Sequence, residues 1–305
     1  MVSISVIIPT HNRPGLLRRA ITSSINQSLL PKEVLVIDDL EDIATKRIVE
    51  EFHLDFVRYI ANVNGNGPSS SRNLGISEAS GDYVAFLDDD DEFRLDKLNI
   101  ISKVIEDKPD IDVVYHRANI VLVNEGLSYS SGTSAFNKDE NFLKKLLVSN
   151  VVGGTPLTIV KRETIINAGF FDEKMIALED YELWLRLAQL GCSFYMIDCF
   201  LTNCYYYTAK ISVSKGIKEN KKSLAYIEKK YASDICMLSP LDLKNNRLWK
   251  GKMFVQKNLL NGNRWGAVRE QVKVFLSVPS VKNIAIFILI FLGPKIVFKV
   301  RSKVG

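Results

Sequence analysis

The stretch GDYVAFLDDDDEF, Gly81 to Phe93, sets an apolar run suited to a buried strand directly against four consecutive aspartates, Asp88 to Asp91. Carboxylates this crowded repel, so some must stay protonated or pair with a cation. Two readings fit the run. One is a site for a hard divalent cation, Mg²⁺ or Mn²⁺, which prefers oxygen ligands. The other is a solvated loop whose last aspartates cap the next helix. A calcium loop of the EF-hand kind is excluded, because Phe93 stands where that loop needs glycine.

Working outward, this strand is one of a series. ISVII (Ile4 to Ile8), EVLVIDD (Glu33 to Asp39) and DFVRYI (Asp55 to Ile60) read as strands, and Leu16 to Ile25, Ile43 to Phe52 and Ser71 to Ala79 as helices between them. Near-continuous apolar strands alternating with helices predict an α/β fold, a mostly parallel sheet with helices on both faces. Past the aspartates the rhythm changes. A helix is expected over Asp96 to Glu106, strands at Val113 to His116 and Asn119 to Val123, and a polar loop over Ser128 to Asn137. TPLTIV (Thr155 to Val160) reads as a strand, Glu179 to Leu190 as a helix, and Phe194 to Ile197 and Asn203 to Tyr207 as two short strands. From about Ile217 the chain is helical and basic, with a soft boundary near Gly216.

The 305 residues are 47% hydrophobic and 25% charged, which excludes a disordered chain and calls for a packed core. A net charge of +5 without a dense basic, aromatic stripe argues against a nucleic-acid partner. Cys192, Cys199, Cys204 and Cys236 form no CxxC pair and have no histidine at zinc spacing, so they are expected to be reduced packing residues. The opening MVSISVIIPT lacks the basic n-region of a secretory signal. Together these point to the cytoplasm. The tail segment IAIFILIFL (Ile284 to Leu292) stops at Gly293 and Pro294, well short of the roughly 20 residues that cross a bilayer. Flanked by lysines, it reads either as a segment lying at an anionic membrane surface, over 284–300, or as a core helix with wet basic ends.

In an open parallel sheet, ligands sit beyond the carboxyl ends of the strands. Those ends carry Thr10, His11, Asn12 and Arg13 after the first strand, Asp38 and Asp39 after the second, and Asp88 to Asp91 after the fourth. Other devices are missing. There is no GxxxxGK[ST], HExxH or GxSxG, GNGPSS (Gly65 to Ser70) only half resembles a dinucleotide loop, and three histidines leave few bases for a triad. Glu179 and Asp180 open a helix, where they read by themselves as N-terminal capping acids.

SVIIPTHNR, VLVIDD, SSSRNLGI, GDYVAFLDDDDEF and GFFDEKMIALEDYELWLRL occur in the order and spacing of the family 2 glycosyltransferases with the GT-A fold, and the resemblance covers about Val2 to Tyr207. It implies a GT-A domain over 1–216, with a nucleotide-binding half at 1–116 and an acceptor and catalytic half at 117–216, followed by a helical basic region at 217–305. It implies a nucleotide-sugar donor, with a UDP-sugar the expected one. Thr10, Asn12, Asp39, Arg72, Asp88 and Asp89 are then expected at the donor. Asp90 is the expected ligand of Mn²⁺ or Mg²⁺, with Asp91 in support, and Asp180 matches the catalytic base of the ED motif. Glu179, Trp184 and Thr155 fall on the side of a glycan or lipid-linked glycan acceptor, where Trp184 would stack on a sugar or else belong to the core. The implied reaction is direct displacement with inversion, as in assembly of surface polysaccharide.

The chain also departs from the family. His11 replaces the tyrosine of PTYN, DDLED loses the glycine of VDDGS, and Lys210 or Lys215 would have to make a phosphate contact that many relatives make with histidine or arginine. Two rivals are set against the enzyme. One is a nucleotide-sugar-binding protein of the same fold without turnover. The other is a nucleotidyltransferase, which would need a glycine- and lysine-rich loop where PTHNRPG stands.

Overall fold

The computed structural model describes residues 2–63, 65, 67–135, 141–208 and 216–304. Strand β1 (Ile4–Thr10) leads into helix α1 (Pro14–Ile25), β2 (Glu33–Asp38) into α2 (Ile43–Glu50), β3 (Val57–Ala61) into α3 (Pro68–Glu78), and β4 (Tyr83–Phe86) into the acidic run. Both faces of these strands are covered, which is why they read as continuous apolar runs. Ile7, Leu35, Ile37, Val84 and Phe86 enter one core layer. Their neighbours Val6, Ile8, Val34, Val36 and Ala85 enter the other, the period-two alternation of a pleated strand. Gly75 lets α3 lie close on this sheet, since a Cβ there would fall 2.5 Å from Cγ2 of Ile7.

The order β3-β2-β1-β4 is parallel throughout. Beyond it come β5 (Glu92–Phe93), α4 (Lys97–Asp107), β6 (Val113–Leu122), β7 (Leu127–Ser130), α5 (Phe142–Val148), a 3-10 turn (Thr155–Leu157), β8 (Thr158–Lys161), α6 (Arg162–Asn167), α7 (Glu179–Gln189) and β9 (Phe194–Tyr206). Here the sheet becomes mixed. β8 inserts antiparallel between β4 and β6, β9 runs parallel to β6, and β5 and β7 add antiparallel partners to β9 and β6.

Five expectations are corrected. The two strands expected at 113–123 are the single strand β6, and those at 194–207 are the single strand β9. Both look broken in sequence because the β6–β9 register shifts on either side of Arg117. That irregularity turns Arg117 out to pair with Asp198. The supposed loop from Ser128 begins with β7, which pairs with Asn119 to Leu122. Thr155 to Leu157 form a turn before the strand and do not belong to it. Of the cysteines, all unpaired, only Cys204 is buried, while Cys199 and Cys236 are exposed and so are not packing residues.

The region after Gly216 forms α8 (Ile217–Lys230), α9 (Ala232–Cys236), α10 (Pro240–Leu260), α11 (Arg264–Ser277), α12 (Val281–Leu292) and α13 (Pro294–Val304). It is fastened to the sheet domain by a buried charge cluster. The carboxylate of Glu182, fully buried, accepts from Lys230 Nζ at 2.6 Å, Arg186 Nη2 at 2.9 Å and the Tyr231 hydroxyl at 3.2 Å. α10 starts with a capping box between Ser239 and Asp242. Its far end packs Val255, Leu259 and Leu260 against Leu122, Tyr129, Ile290 and Phe298. The apolar tail is therefore split. Ile290 is buried, yet Ile284, Ile288 and Leu292 are 45%, 54% and 61% exposed. Among the described residues no helix is long and apolar enough to cross a membrane.

Candidate active site

The site lies where β1, β2 and β4 end, beside the start of α7. At the end of β2 the two aspartates separate by role. Asp38 is buried and spent on the turn, accepting from the Leu40 and Asp42 backbone N–H groups at 3.1 and 2.7 Å and from the Tyr59 hydroxyl at 3.0 Å. In this turn Glu41 takes the left-handed conformation, with φ of 52°. Asp39 is left at the surface of the site, where its Oδ1 lies 2.7 Å from Nδ1 of His11. The unexpected histidine thus sits against a carboxylate expected at the donor.

The four aspartates diverge in the same way. Thr10 Oγ1 donates to Asp89 at 2.8 Å, and Arg13 Nη1 reaches both Asp89 and Asp90, at 3.2 and 3.1 Å. Arg19 donates to the Asp90 carbonyl and stacks over the Tyr205 ring at 3.8 Å. Asp91 is buried and accepts from the Tyr205 N–H at 2.9 Å, which pins the acidic loop to β9. Burial, then repulsion by Asp88 and Asp89, pushes Asp90 up to about 6. Burial and the same kind of crowding push Asp91 well up. A buried amine, Lys97, lies beneath this loop; its Nζ donates to the Pro156 carbonyl at 2.8 Å, and burial holds its pKa well down.

Arg72 joins the two halves of the site. Its guanidinium is 6% exposed and donates to Asp88 at 2.8 Å with one arm and to Glu179 at 2.8 Å with the other. It thereby links the end of β4 to the start of α7. That helix begins on Leu178 in the left-handed region, φ 59°, a conformation that leucine adopts only when its surroundings impose it. Asp180 follows, with Oδ1 accepting from the Tyr181 N–H at 2.6 Å. Burial, then the neighbouring Glu179, pushes its carboxyl up to about 7, while Arg72 and Lys257 pull the other way. Gly154 faces this carboxylate: a Cβ there would stand 3.7 Å from Oδ2 of Asp180.

The expected residues do not all converge. Thr10, Asp39, Arg72, Asp88, Asp89, Asp90, Glu179 and Asp180 do, and Asn12 is exposed at the same edge, with φ of 50°. Trp184 is a correction. It is fully buried and its indole donates to the Gly153 carbonyl at 3.0 Å, so it supports the loop before the 3-10 turn and cannot stack on a sugar. Thr155 is likewise buried, at 3% exposed, and its place is in that turn. Lys210 and Lys215 lie outside the described residues. Three cations were not assigned from sequence. Arg13 stood in the quoted THNR but without a partner, Arg19 looked like an ordinary helix charge, and Lys257 lies 77 positions from Asp180 in a region read only as helical and basic. Lys257 belongs to α10 and faces Asp180 and Glu179. Burial lowers its pKa to about 8 against their opposing attraction.

Comparison with known proteins agrees with this fold. The family model described as Glycosyl transferase family 2 matches residues 5–161. An uncharacterized glycosyltransferase of Haemophilus influenzae is 30% identical over 301 residues, 98% of each chain. The GalNAc(5)-diNAcBac-PP-undecaprenol beta-1,3-glucosyltransferase of Campylobacter jejuni is 31% identical over 75% of this chain and 73% of its own. Among solved structures, S. aureus TarS 1-349 in complex with UDP-GlcNAc shares the fold. Its TM-score is 0.59 at 17% identity, over 99% of this chain and 90% of that one.

Proposed function

The chain belongs to glycosyl transferase family 2, and from that premise we propose that it is an inverting enzyme. In this reading it moves a sugar from a UDP-sugar to a hydroxyl of a glycan or lipid-linked glycan in the assembly of surface polysaccharide. The observation that carries the reading is the Arg72 bridge, which fixes the acidic end of β4 and the acidic start of α7 on one site. Donor-side and base-side carboxylates are thereby set apart from each other but held rigidly, as displacement through the sugar requires.

Asp180 takes the proton of the attacking hydroxyl. The oxygen bonds to the anomeric carbon as the bond from that carbon to the diphosphate breaks, and the electron pair leaves with the diphosphate. Direct displacement inverts the anomeric centre. Thr10, Asn12, Asp39 and Asp88 hold the nucleotide, and Asp89, locked by Thr10 and Arg13, orients the loop. The donor set fits a divalent cation: hard oxygens crowd one another, and burial with repulsion has already raised Asp90. Among the described residues no three His, Cys, Asp or Glu side chains form a metal cage. Mg²⁺ commonly takes only one or two carboxylates and completes its shell with phosphate oxygens and water. Asp90 with Asp88 would hold Mn²⁺ or Mg²⁺, which when bound neutralises charge on the leaving diphosphate. The undecaprenol-linked acceptor named for the Campylobacter relative supports an acceptor of that class.

The test pairs binding with turnover. Asp180→Asn should keep the thermal stabilisation given by a UDP-sugar with Mn²⁺ and lose transfer by at least about 100-fold, the contribution of a general base. Retained transfer would remove Asp180 from the reaction. Equal, undetectable turnover in parent and variant, with donor binding intact, would favour the binding protein without chemistry.

A further inference from the structure

Helices α11, α12 and α13 leave one apolar surface uncovered. Trp265 is 70% exposed, Ile284 45%, Ile288 54%, Leu292 61%, Ile296 38% and Val300 40%. Ile284, Ile288 and Leu292 follow a four-residue repeat, which lays them along one face of α12, and beyond the break at Gly293 Ile296 and Val300 are spaced alike on α13. The opposite side of the same helices is buried. Ile290 and Phe298 pack on Leu122, Tyr129 and Leu259. Edge-to-face contacts join Trp265 to Phe291 at 6.0 Å and Phe291 to Phe287 at 4.9 Å, so α11 and α12 present their rings together.

Charge identifies the occupant. Residues 271–305 hold six cations, Lys273, Lys282, Lys295, Lys299, Arg301 and Lys303, and no acidic residue. Lys282, Lys295 and Lys299 are exposed around the apolar face. A second copy would bring the same cations against them, which like-charge repulsion opposes. An anionic lipid surface complements both features, taking apolar side chains at the acyl boundary and lysines at the headgroups.

We propose that α11, α12 and α13 form one platform that seats on an anionic bilayer surface without crossing it. Residues of α10 connect that platform to the reaction centre, since Leu259 and Leu260 pack against it and Trp249 of the same helix lies 5.2 Å, ring to ring, from Tyr181, the neighbour of Asp180. The platform thus holds the base at a fixed height over the membrane, where a lipid-linked acceptor would be presented. This contact adds a place to the proposed function but rests on exposure and charge, so vesicle binding can fail while sugar transfer stands.

Flotation of the full chain with vesicles tests it. The protein should float with vesicles of equal parts phosphatidylcholine and phosphatidylglycerol, should not float with phosphatidylcholine alone, and should be released as salt shortens screening from about 10 Å to about 3 Å. Replacing Lys282, Lys295 and Lys299 with Gln should weaken partition by about 100-fold, from the typical gain per basic residue near such a surface. Ile288→Asp with Leu292→Asp should abolish flotation with no fall in melting temperature, because both side chains are already exposed. Failure to float, equal binding to neutral vesicles, or a stable dimer in light scattering that Ile288→Asp dissolves would each overturn the proposal.

Discussion

Arg72 offers the sharpest test of how the site is held. Its guanidinium is 6% exposed, it makes two hydrogen bonds of 2.8 Å to carboxylates, and it lies 5.7 Å from the centre of the Phe171 ring. Arg72→Met keeps much of the apolar bulk and removes both bonds. Asp88 is 37% exposed and can turn to water, but Glu179 is 14% exposed and is left charged beside Asp180. Removing one partner of a buried ion pair typically costs about 3–5 kcal/mol. Solvent access at Asp88 puts the expected loss near the lower figure, about 3 kcal/mol. With a urea slope of roughly 3 kcal/mol/M, the unfolding midpoint should fall by about 1 M. Adding Glu179→Gln should restore a part of this, because the stranded charge is then gone, and the double mutant should be more stable than Arg72→Met alone. Transfer should stay lost in both, since β4 and α7 are no longer tied. Arg72→Lys should rescue poorly, as one ammonium cannot span two carboxylates in fork geometry. If Arg72→Met unfolds within 1 kcal/mol of the parent, or if Glu179→Gln deepens the loss, the bridge is not what holds the site.

Other expectations follow from the same geometry. With Asp180 pushed up to about 7, the rate of transfer should climb as pH rises through 7, and a profile flat from pH 5 to 9 would contradict the assignment. That folded value lies above the ordinary carboxylate value near 3.9, so the stability this group contributes is full below about pH 4 and is lost as pH rises through 7. Asp180→Asn should therefore be more stable than the parent by on the order of 2–4 kcal/mol at pH 8 and by clearly less at pH 5, as read by thermal melts at both. Lys257→Met removes a cation facing Asp180 and should move the rising limb of the pH–rate profile upward, by up to about one pH unit, while Lys257→Arg leaves it in place. Gly75→Ala gains about 1 kcal/mol of helix propensity but drives a methyl to within 2.5 Å of the fully buried Ile7. Overpacking of about 1–3 kcal/mol should win, with lowered stability in urea.

The parallel half of the sheet was legible because its signals are local. Apolar runs such as ISVII and EVLVI, each followed by a helix of the right period, leave little choice of topology. The antiparallel insertion of β8 was not, since nothing within TIVK states whether it pairs with Tyr83 to Ala85 in one direction or the other. Strand ends marked Thr10, Asp39 and the aspartates as site residues, and the structure brings them together. Trp184 shows the limit of such reading. An aromatic one turn into an acidic helix fits a sugar platform or a core equally, and only the tertiary contact of its indole with Gly153 decides. Arg19 and Lys257 are invisible for the same reason, because a lone basic residue in a helix has no meaning until its carboxylate is located, and Arg13, although marked at the end of β1, had no assigned partner.

The acidic run is best understood as four differently anchored groups rather than one pool of charge. Asp88 is tied to α3 through Arg72, Asp89 to β1 and α1 through Thr10 and Arg13, and Asp91 to β9 through the Tyr205 N–H. Asp90 shares Arg13 and keeps its side chain 26% exposed, with its backbone carbonyl held by Arg19. Each anchor comes from a different element, so the loop cannot relax its crowding by moving as a unit. Carboxylates fixed this close relieve their repulsion by pairing with Arg13 and Arg72 or by holding a proton, as the raised pKa of Asp90 and Asp91 records. A diphosphate that brings a metal ion with it would release part of that repulsion on binding. Asp91, buried and bonded to β9, holds the loop, and in the proposed function it would serve the fold while Asp90 meets the ion.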